Sequence, residues 1–420
     1  MSKKEEINSD IAHHTNLEQF SKPVSDKEYN EIIELIKSKL CRMEQVNALI
    51  EVRIAPNQAP IVIDARKTPA VILPTSNEKP ETVITISPLT LKKLSKGQIE
   101  TRFAMFWGGL MMTDGNTRPA TKFGDSMCPV IPTHPAKVQD KSKLPKPTRD
   151  IEQVRRDIEE FGYGLVADAL SPEQLKTLKN RIREQADGEK EAGVGEFDGG
   201  VNSPNQRIFN LANKGDEFLD LLDNPLIDSL IPDFLGDGAI IFSYTANIAR
   251  PGNTPMPIHT DQGSIQPPIR DIPLGLNTMF FLEDVTESNG GTRVFPGSHK
   301  GNVAPDDLFD ITDTVAAEGK AGTALVFESR LWHTTGPNTE SKGERPVIIL
   351  FFVRAFLRQQ ENMFLSLSPE VLDKLSDRHK AFIGYRVTGS LGAVGGRAPE
   401  GTIVSRPEKS IGEIRAGVKV

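Results

Sequence analysis

Pro257-Ile258-His259-Thr260-Asp261-Gln262, read with Leu331-Trp332-His333 and Arg345 downstream, is the stretch on which the fold turns. A histidine and a carboxylate stand two positions apart. On a β-strand, positions i and i+2 point to one face, so the side chains of His259 and Asp261 are expected to reach one ion from a strand. A third ligand must come from elsewhere in the chain. His333 ends a strand-like run, Ala324 to Phe327 continued by Ser329-Arg330-Leu331-Trp332. In a rolled-up sheet that run is expected to lie opposite the first. Two imidazoles and one carboxylate leave three coordination positions open, which suits a non-haem iron(II) oxygenase.

A lone His-x-Asp is a weak signal. Here it is the only His-x-Asp or His-x-Glu in the chain, and residues further along sharpen it. Arg345 stands 12 residues after His333, across a Gly336-Pro337-Asn338 turn and just before the run Val347 to Phe352. A planar guanidinium there is placed to hold a carboxylate at two points. The bland alternative is a surface arginine. Thr335, two past His333, shares its face and can donate a further hydrogen bond. Trp332 faces the other way, into core.

Composition sets the frame. A chain of 420 residues predicts two domains, and 37% hydrophobic with 25% charged residues suits soluble globular cores. A formal net charge of -7 argues against a general nucleic-acid surface. Cys41 and Cys128, the only cysteines, make neither a disulfide framework nor a four-cysteine zinc cluster, which fits a reducing compartment. The start, Met1-Ser2-Lys3-Lys4-Glu5-Glu6, leads into no apolar segment of the secretory kind, and no run approaches the length of a membrane span. The expected location is cytoplasmic.

Residues 1–27 read as a disordered leader in which His13-His14 is solvated. From Tyr29 through Ile32, Ile33, Ile36, Leu40 and Met43 the apolar spacing predicts one amphipathic helix. Strand-like runs come next, at 48–52, 61–63, 70–73 and 82–86. Ser87-Pro88 opens a helix over Leu89 to Leu94 that Gly97 closes. Phe103, Phe106, Trp107, Leu110, Met111 and Met112 form an apolar cluster. Residues 129–149, with Pro129, Pro132, Pro135, Pro145 and Pro147 among lysines, read as a linker. After a helix from Ile151, Ser171-Pro172-Glu173-Gln174 has the form of a capping box. Short strands then recur at 239–244, 276–282, 292–295, 324–327 and 347–352, which argues a sandwich or barrel with helices outside. His299 reads as a structural turn histidine, and His134 and His379 as inert.

Two resemblances extend this reading. Val83-Ile84-Thr85-Ile86-Ser87-Pro88, Leu94-Ser95-Lys96-Gly97, Phe103-Ala104-Met105-Phe106-Trp107-Gly108-Gly109 and Met112-Thr113-Asp114-Gly115-Asn116 resemble the sterol carrier protein fold over residues 28–128. That resemblance implies an α+β domain with an apolar tunnel for acyl chains or sterols; a plain apolar core is the alternative. Residues 150–420 resemble the phytanoyl-CoA dioxygenase family. The residues that carry this are Phe161-Gly162-Tyr163, the His259 segment, Asn289-Gly290-Gly291-Thr292-Arg293-Val294-Phe295-Pro296-Gly297-Ser298-His299, Leu331-Trp332-His333 and Arg345. The resemblance implies a double-stranded β-helix (jelly roll) with flanking helices, iron(II), and 2-oxoglutarate as cosubstrate. It gives His259, Asp261 and His333 the iron-ligand roles and Arg345 the salt bridge to the distal carboxylate of 2-oxoglutarate. Thr335 falls beside that carboxylate, Met279 where relatives often place a bulkier group, and Asn277 on the same strand face.

Related halogenases lack the carboxylate, so Asp261 argues against chlorination. Hydroxylation, desaturation, epoxidation and cyclisation stay open. Arg358-Gln359-Gln360-Glu361-Asn362 and Tyr385 to Arg397 also look like the family, with an expected role in closing the barrel or the substrate entrance. The fusion of the two domains suggests a lipophilic or carrier-bound small-molecule substrate, with dioxygen as co-reactant. Three other readings stay open: a zinc hydrolase on the same ligands, a non-catalytic lipid carrier with a degenerate barrel, and an N-terminal module for stability or homo-oligomer formation.

Overall fold

The computed structural model describes residues 20–56, 59–130, 140, 142–300, 304–305, 307–394 and 398–405. His13, His14, His134, most of the expected leader and part of the expected linker lie outside these residues, as do the side chains of Phe106 and Trp107. The chain divides into two compact units, Met1–Pro132 with Gln262–Arg270, and Thr133–Asp261 with Asp271–Val420.

In the first unit, Ser25 caps α1 (Asp26–Lys37) by accepting from the Glu28 amide. The apolar spacing predicts a helix running on to Met43, but α1 stops at Lys37 and Leu40–Arg42 is a separate 3-10 turn. Ser38 Oγ donates to the Leu35 carbonyl at 2.7 Å. A side chain bonded back to its own turn competes with the helical ladder, and that accounts for the break. Strands β1 (Leu49–Ile54), β2 (Ile61–Asp64), β3 (Val71–Leu73), β4 (Thr82–Ile86) and β5 (Met111–Gly115) form one sheet in the order β3-β2-β1-β4-β5. Only β1 and β4 run parallel. The helix α2 (Pro88–Ser95) starts at the Ser87 cap, with Gly97 beyond its end at φ +66°. It buries Leu91 and Leu94, and α3 (Thr117–Met127) buries Phe123 and Met127, in one core with Ile50, Val52 and Ile84.

The second unit is built on a seven-stranded sheet. Its strands are β6 (Tyr163–Val166), β7 (Glu196–Asp198), β8 (Asn205–Ile208), β9 (Ile240–Ala249), β10 (Gly275–Phe281), β13 (Ala324–Glu328) and β15 (Arg345–Val353). They lie in the order β6-β13-β10-β15-β9-β8-β7, and every pairing is antiparallel. A three-stranded sheet holds β11 (Thr292–Val294), β12 (Val315–Ala316) and β14 (His333–Thr335). Alternation assigns the two faces of the large sheet. Leu276, Phe280, Val326, Ile348, Leu350 and Phe352 pack on α4 (Ile151–Phe161), α5 (Pro172–Glu191) and α7 (Pro225–Leu235), with the short α6 (Asp216–Asp220) alongside. Met279, Phe281, Leu325, Phe327 and Val347 face the other way and pack with Val294, Ala317 and Leu331 from the small-sheet side. The expected capping box is present at α5, with Ser171 and Gln174 each accepting from the other's backbone amide. Among the described residues, no helix is long and apolar enough to cross a membrane.

The turn from α4 into β6 depends on Gly162. Its φ of +85° is left-handed, and a Cβ there would meet His299 Nδ1 and Leu331 Cδ1 at 2.7 Å. Gly162→Ala is expected to cost about 2 kcal/mol through backbone strain and overpacking, read as a lowered Tm. His299 spends Nε2 on the Glu159 carbonyl at 3.1 Å, and burial holds its pKa below the ordinary 6.5. The folded state therefore keeps this imidazole neutral where the unfolded chain takes up a proton. Its contribution is intact above about pH 6.5 and is lost as pH falls below it. Denaturant titrations between pH 7.5 and 5 should show a smaller acid-side loss for His299→Gln than for the native chain.

Candidate metal centre

The site assembles where the chain after β9 returns to the small sheet. His259 and His333 are direct cross-strand partners: the His259 amide donates to the His333 carbonyl at 2.9 Å, and the reverse bond is 2.8 Å. The expected run from Ala324 to His333 is broken, however: β13 lies in the large sheet and His333 opens β14 in the small one. A second correction concerns Asp261. His259 sits in an isolated bridge, and Asp261 opens a 3-10 turn, Asp261–Ser264, so the two are not alternate residues of one strand. The turn, not strand alternation, brings the Asp261 carboxylate to the histidines.

One ligand atom each from His259, Asp261 and His333 lies within 4.8 Å of the others. The imidazole rings are 4.3 Å apart between centroids, and His333 Nε2 is 3.5 Å from Asp261 Oδ1. Each ring has its Nδ1 on a carbonyl two residues earlier, Pro257 for His259 at 3.0 Å and Leu331 for His333 at 2.9 Å. A ring that donates from Nδ1 presents Nε2 as its lone pair, which is how a metal-binding histidine is oriented. Asn277, on β10, donates from Nδ2 to Asp261 Oδ2 at 3.1 Å, leaving Oδ1 facing the histidines. Asn277 Oδ1 is itself buried with no hydrogen-bond partner.

Arg345 is the first residue of β15 and is 1% exposed, so the surface reading fails. Nη2 donates to the Gly290 carbonyl, while Nε and Nη1 are buried with no partner. Burial first, and the nearby Arg207 second, push its pKa down to about 10, so it is still protonated at neutral pH. Two unmet donors on a buried cation are costly unless an anion arrives to accept them. The register puts Arg345, Val347, Ile349 and Phe351 on the face that carries Asn277 and Met279. Thr335 pairs with Thr292, whose Oγ1 lies 3.7 Å from Met279 Sδ. Met279 and Thr335 are thus linked through Thr292, one on each of the two sheets. Missed at the level of sequence is Asn247, which pairs with Val347 and Arg207 and has a buried, unpartnered Oδ1. A polar residue alternating with Ala246 and Ile248 was the available signal.

Residues 158–347 match the phytanoyl-CoA dioxygenase family model. A protein of Aspergillus fumigatus named dioxygenase af480 is 30% identical over 255 residues, 58% of this chain and 82% of that protein. The chain belongs to the phytanoyl-CoA dioxygenase family. It is accordingly an enzyme of the dioxygenase class. A second relative from Aspergillus fumigatus, dioxygenase sphC, is 26% identical to this family member over 268 residues, 58% of this chain and 70% of that protein. Residues 29–127 separately match the SCP-2 sterol transfer family. Among solved structures, the non-heme alpha ketoglutarate dependent carbocyclase SnoK from nogalamycin biosynthesis aligns with 54% of this chain and 94% of its own, at 20% identity and a TM-score of 0.42.

Removing the amide that holds Asp261 should loosen the centre without unfolding the sheet. Asn277→Ala is expected to weaken divalent-metal binding by about tenfold, the lower end for a residue supporting a ligand, as read by anaerobic metal titration.

Proposed function

We propose that this family member is an iron(II)- and 2-oxoglutarate-dependent dioxygenase that oxidises, most simply by hydroxylation, a lipophilic or carrier-bound small molecule. The observation that carries the reading is Arg345: a buried guanidinium with two unpartnered nitrogens, on the sheet face that also carries Asn277 beside the His259, Asp261 and His333 cluster. A zinc hydrolase on the same three ligands gives that arginine no task. A dicarboxylate cosubstrate does.

In this reading His259 and His333 hold the metal through Nε2 and Asp261 through Oδ1, with Asn277 fixing the second carboxylate oxygen. Arg345 receives the far carboxylate of 2-oxoglutarate and Thr335 adds a hydroxyl beside it. Met279 supplies apolar contact along the cosubstrate, and Asn277, on the same strand face, stands beside it. Bound iron and 2-oxoglutarate supply the oxidising power, by coupling cosubstrate decarboxylation to dioxygen reduction. The chain's own part is to orient the reactants and exclude water. Tyr163, Phe281, Leu325 and Phe327 close the inner wall with apolar side chains. The two facing sheets fit a double-stranded β-helix, with residues 150–420 as the catalytic part. Residues 28–128 then serve the substrate as a lipid-handling unit, which the match to a sterol transfer family supports.

Asp261→Ala should abolish substrate-coupled succinate release in the presence of added iron and 2-oxoglutarate; full activity in that variant would refute the reading. Arg345→Gln is expected to raise the 2-oxoglutarate requirement by on the order of a hundredfold, since it removes hydrogen bonds to a charged group worth roughly 1.5–3 kcal/mol each. Metal analysis that finds zinc, with no cosubstrate binding, would favour the hydrolase. Absence of 2-oxoglutarate binding with retained lipid binding would favour a carrier.

A further inference from the structure

A second cationic site lies at the end of the large sheet away from Arg345. A cavity of about 280 Å³ is lined there by Ile240, Arg358, Phe364, Arg386 and Leu391, among others. Among the described residues its lining includes two arginines and no acidic residue. Several other arginines of this unit are matched, Arg345 being the exception already described. Arg354 spends its guanidinium on the carbonyls of Pro273, Leu235 and Phe234, Arg330 pairs with Glu328, and Arg378 pairs with Asp223 and Asp228. Arg358, by contrast, makes no hydrogen bond or ion pair among the described residues. Arg386 has one long bond, from Nη1 to the Asp237 carbonyl at 3.4 Å, and its Nε is buried with no partner. In a chain of net charge -7, two guanidiniums with no carboxylate partner among the described residues, Arg358 exposed and Arg386 half-buried, give one cavity a local positive charge that suits an anion.

The register ties this cavity to the candidate centre. Ile240 pairs with Val353, two residues beyond Phe351. Phe351 pairs with Asn277, the residue bonded to Asp261, and the Phe242 ring packs edge-on against Phe351 with centroids 5.0 Å apart. Two strand residues span roughly 7 Å, so Ile240 on the cavity wall lies about that far along the sheet from the level at which Phe351 pairs with Asn277. Its remaining wall is fixed: Gln359 Nε2 donates to the carbonyls of Ile241 and Ile383, at 2.6 and 3.0 Å. Gly384, at φ +105°, lets the Phe364 ring approach, since a Cβ there would lie 3.2 Å from it. Phe364 and Leu391 keep apolar surface in water, at 40% and 45% exposure.

We propose that this cavity is a substrate subsite that recognises an acidic group, carboxylate or phosphate, on an otherwise apolar molecule. Arg358 and Arg386 bind the anion, and Phe364 and Leu391 cover the carbon skeleton. The inference rests on the oxygenase reading only for its claim that the bound molecule is the substrate.

The test uses the full chain, held anaerobically with iron(II) and saturating N-oxalylglycine so that the Arg345 site is filled. Hexanoate, hexyl phosphate and hexanol are titrated by calorimetry. At least one of the two anions should bind tenfold or more tightly than hexanol, and the stronger of them identifies the acidic group. Arg358→Gln with Arg386→Gln should remove that preference, while Arg358→Lys with Arg386→Lys keeps it within about threefold. Equal binding of hexanol, or anion binding that the glutamine pair leaves unchanged, overturns the subsite. The visible charge-transfer band of iron(II) with 2-oxoglutarate is recorded on the same proteins. Its absence from the native chain would defeat the oxygenase reading alone, and its persistence in the glutamine pair shows that those variants fold.

Discussion

The reciprocal pair of backbone hydrogen bonds between His259 and His333 is the constraint on which the site depends. It fixes two residues 74 positions apart in sequence as cross-strand partners, and it does so without using either side chain. With the backbone settled, each imidazole needs only one local bond, to a carbonyl two residues back, to set its ring. The neighbouring ladder continues the job. Thr335 pairs with Thr292, Val294 with His333, and the Phe295 amide donates to the Trp332 carbonyl. Precision at the centre is thus inherited from sheet register, where a one-residue slip would turn every side chain to the wrong face.

Much of this was legible in sequence, for identifiable reasons. The Ser87-Pro88 start and Gly97 stop of α2, and the box at Ser171 and Gln174, are local signals whose partners lie within a few residues. Strands β10, β13 and β15 are buried on both faces, so they read as unbroken apolar runs, and Arg345 at the edge of such a run stood out. The strands β7 and β8 were not legible, because Glu196–Asp198 is a short, exposed edge strand and Asn205–Ile208, though mostly buried, carries three polar residues in four. The 3-10 turn at Asp261 was missed because His-x-Asp spacing suits a strand equally well. The bond from Asn277 to Asp261 and the unmet oxygen of Asn247 depend on which strands lie side by side, and no periodicity reports that.

The large sheet separates two kinds of demand. The face toward the helices is filled by Phe280, Val326, Leu350 and similar side chains, which need only volume. The inner face mixes such residues with Arg345, Asn247 and Asn277, whose polar atoms are buried and incompletely paired. Unmet groups of this kind lower stability, and their concentration on one face marks where the chain forgoes stability for binding.

The two Nδ1 contacts carry a last consequence. Because each ring is anchored to its own stretch of backbone, its orientation does not wait for an ion. Two nitrogens and one oxygen are donors that bind nickel and copper above ferrous iron in the ordinary ordering of divalent ions. Under the proposed function, filling with iron therefore falls to the supply in the surroundings of the protein.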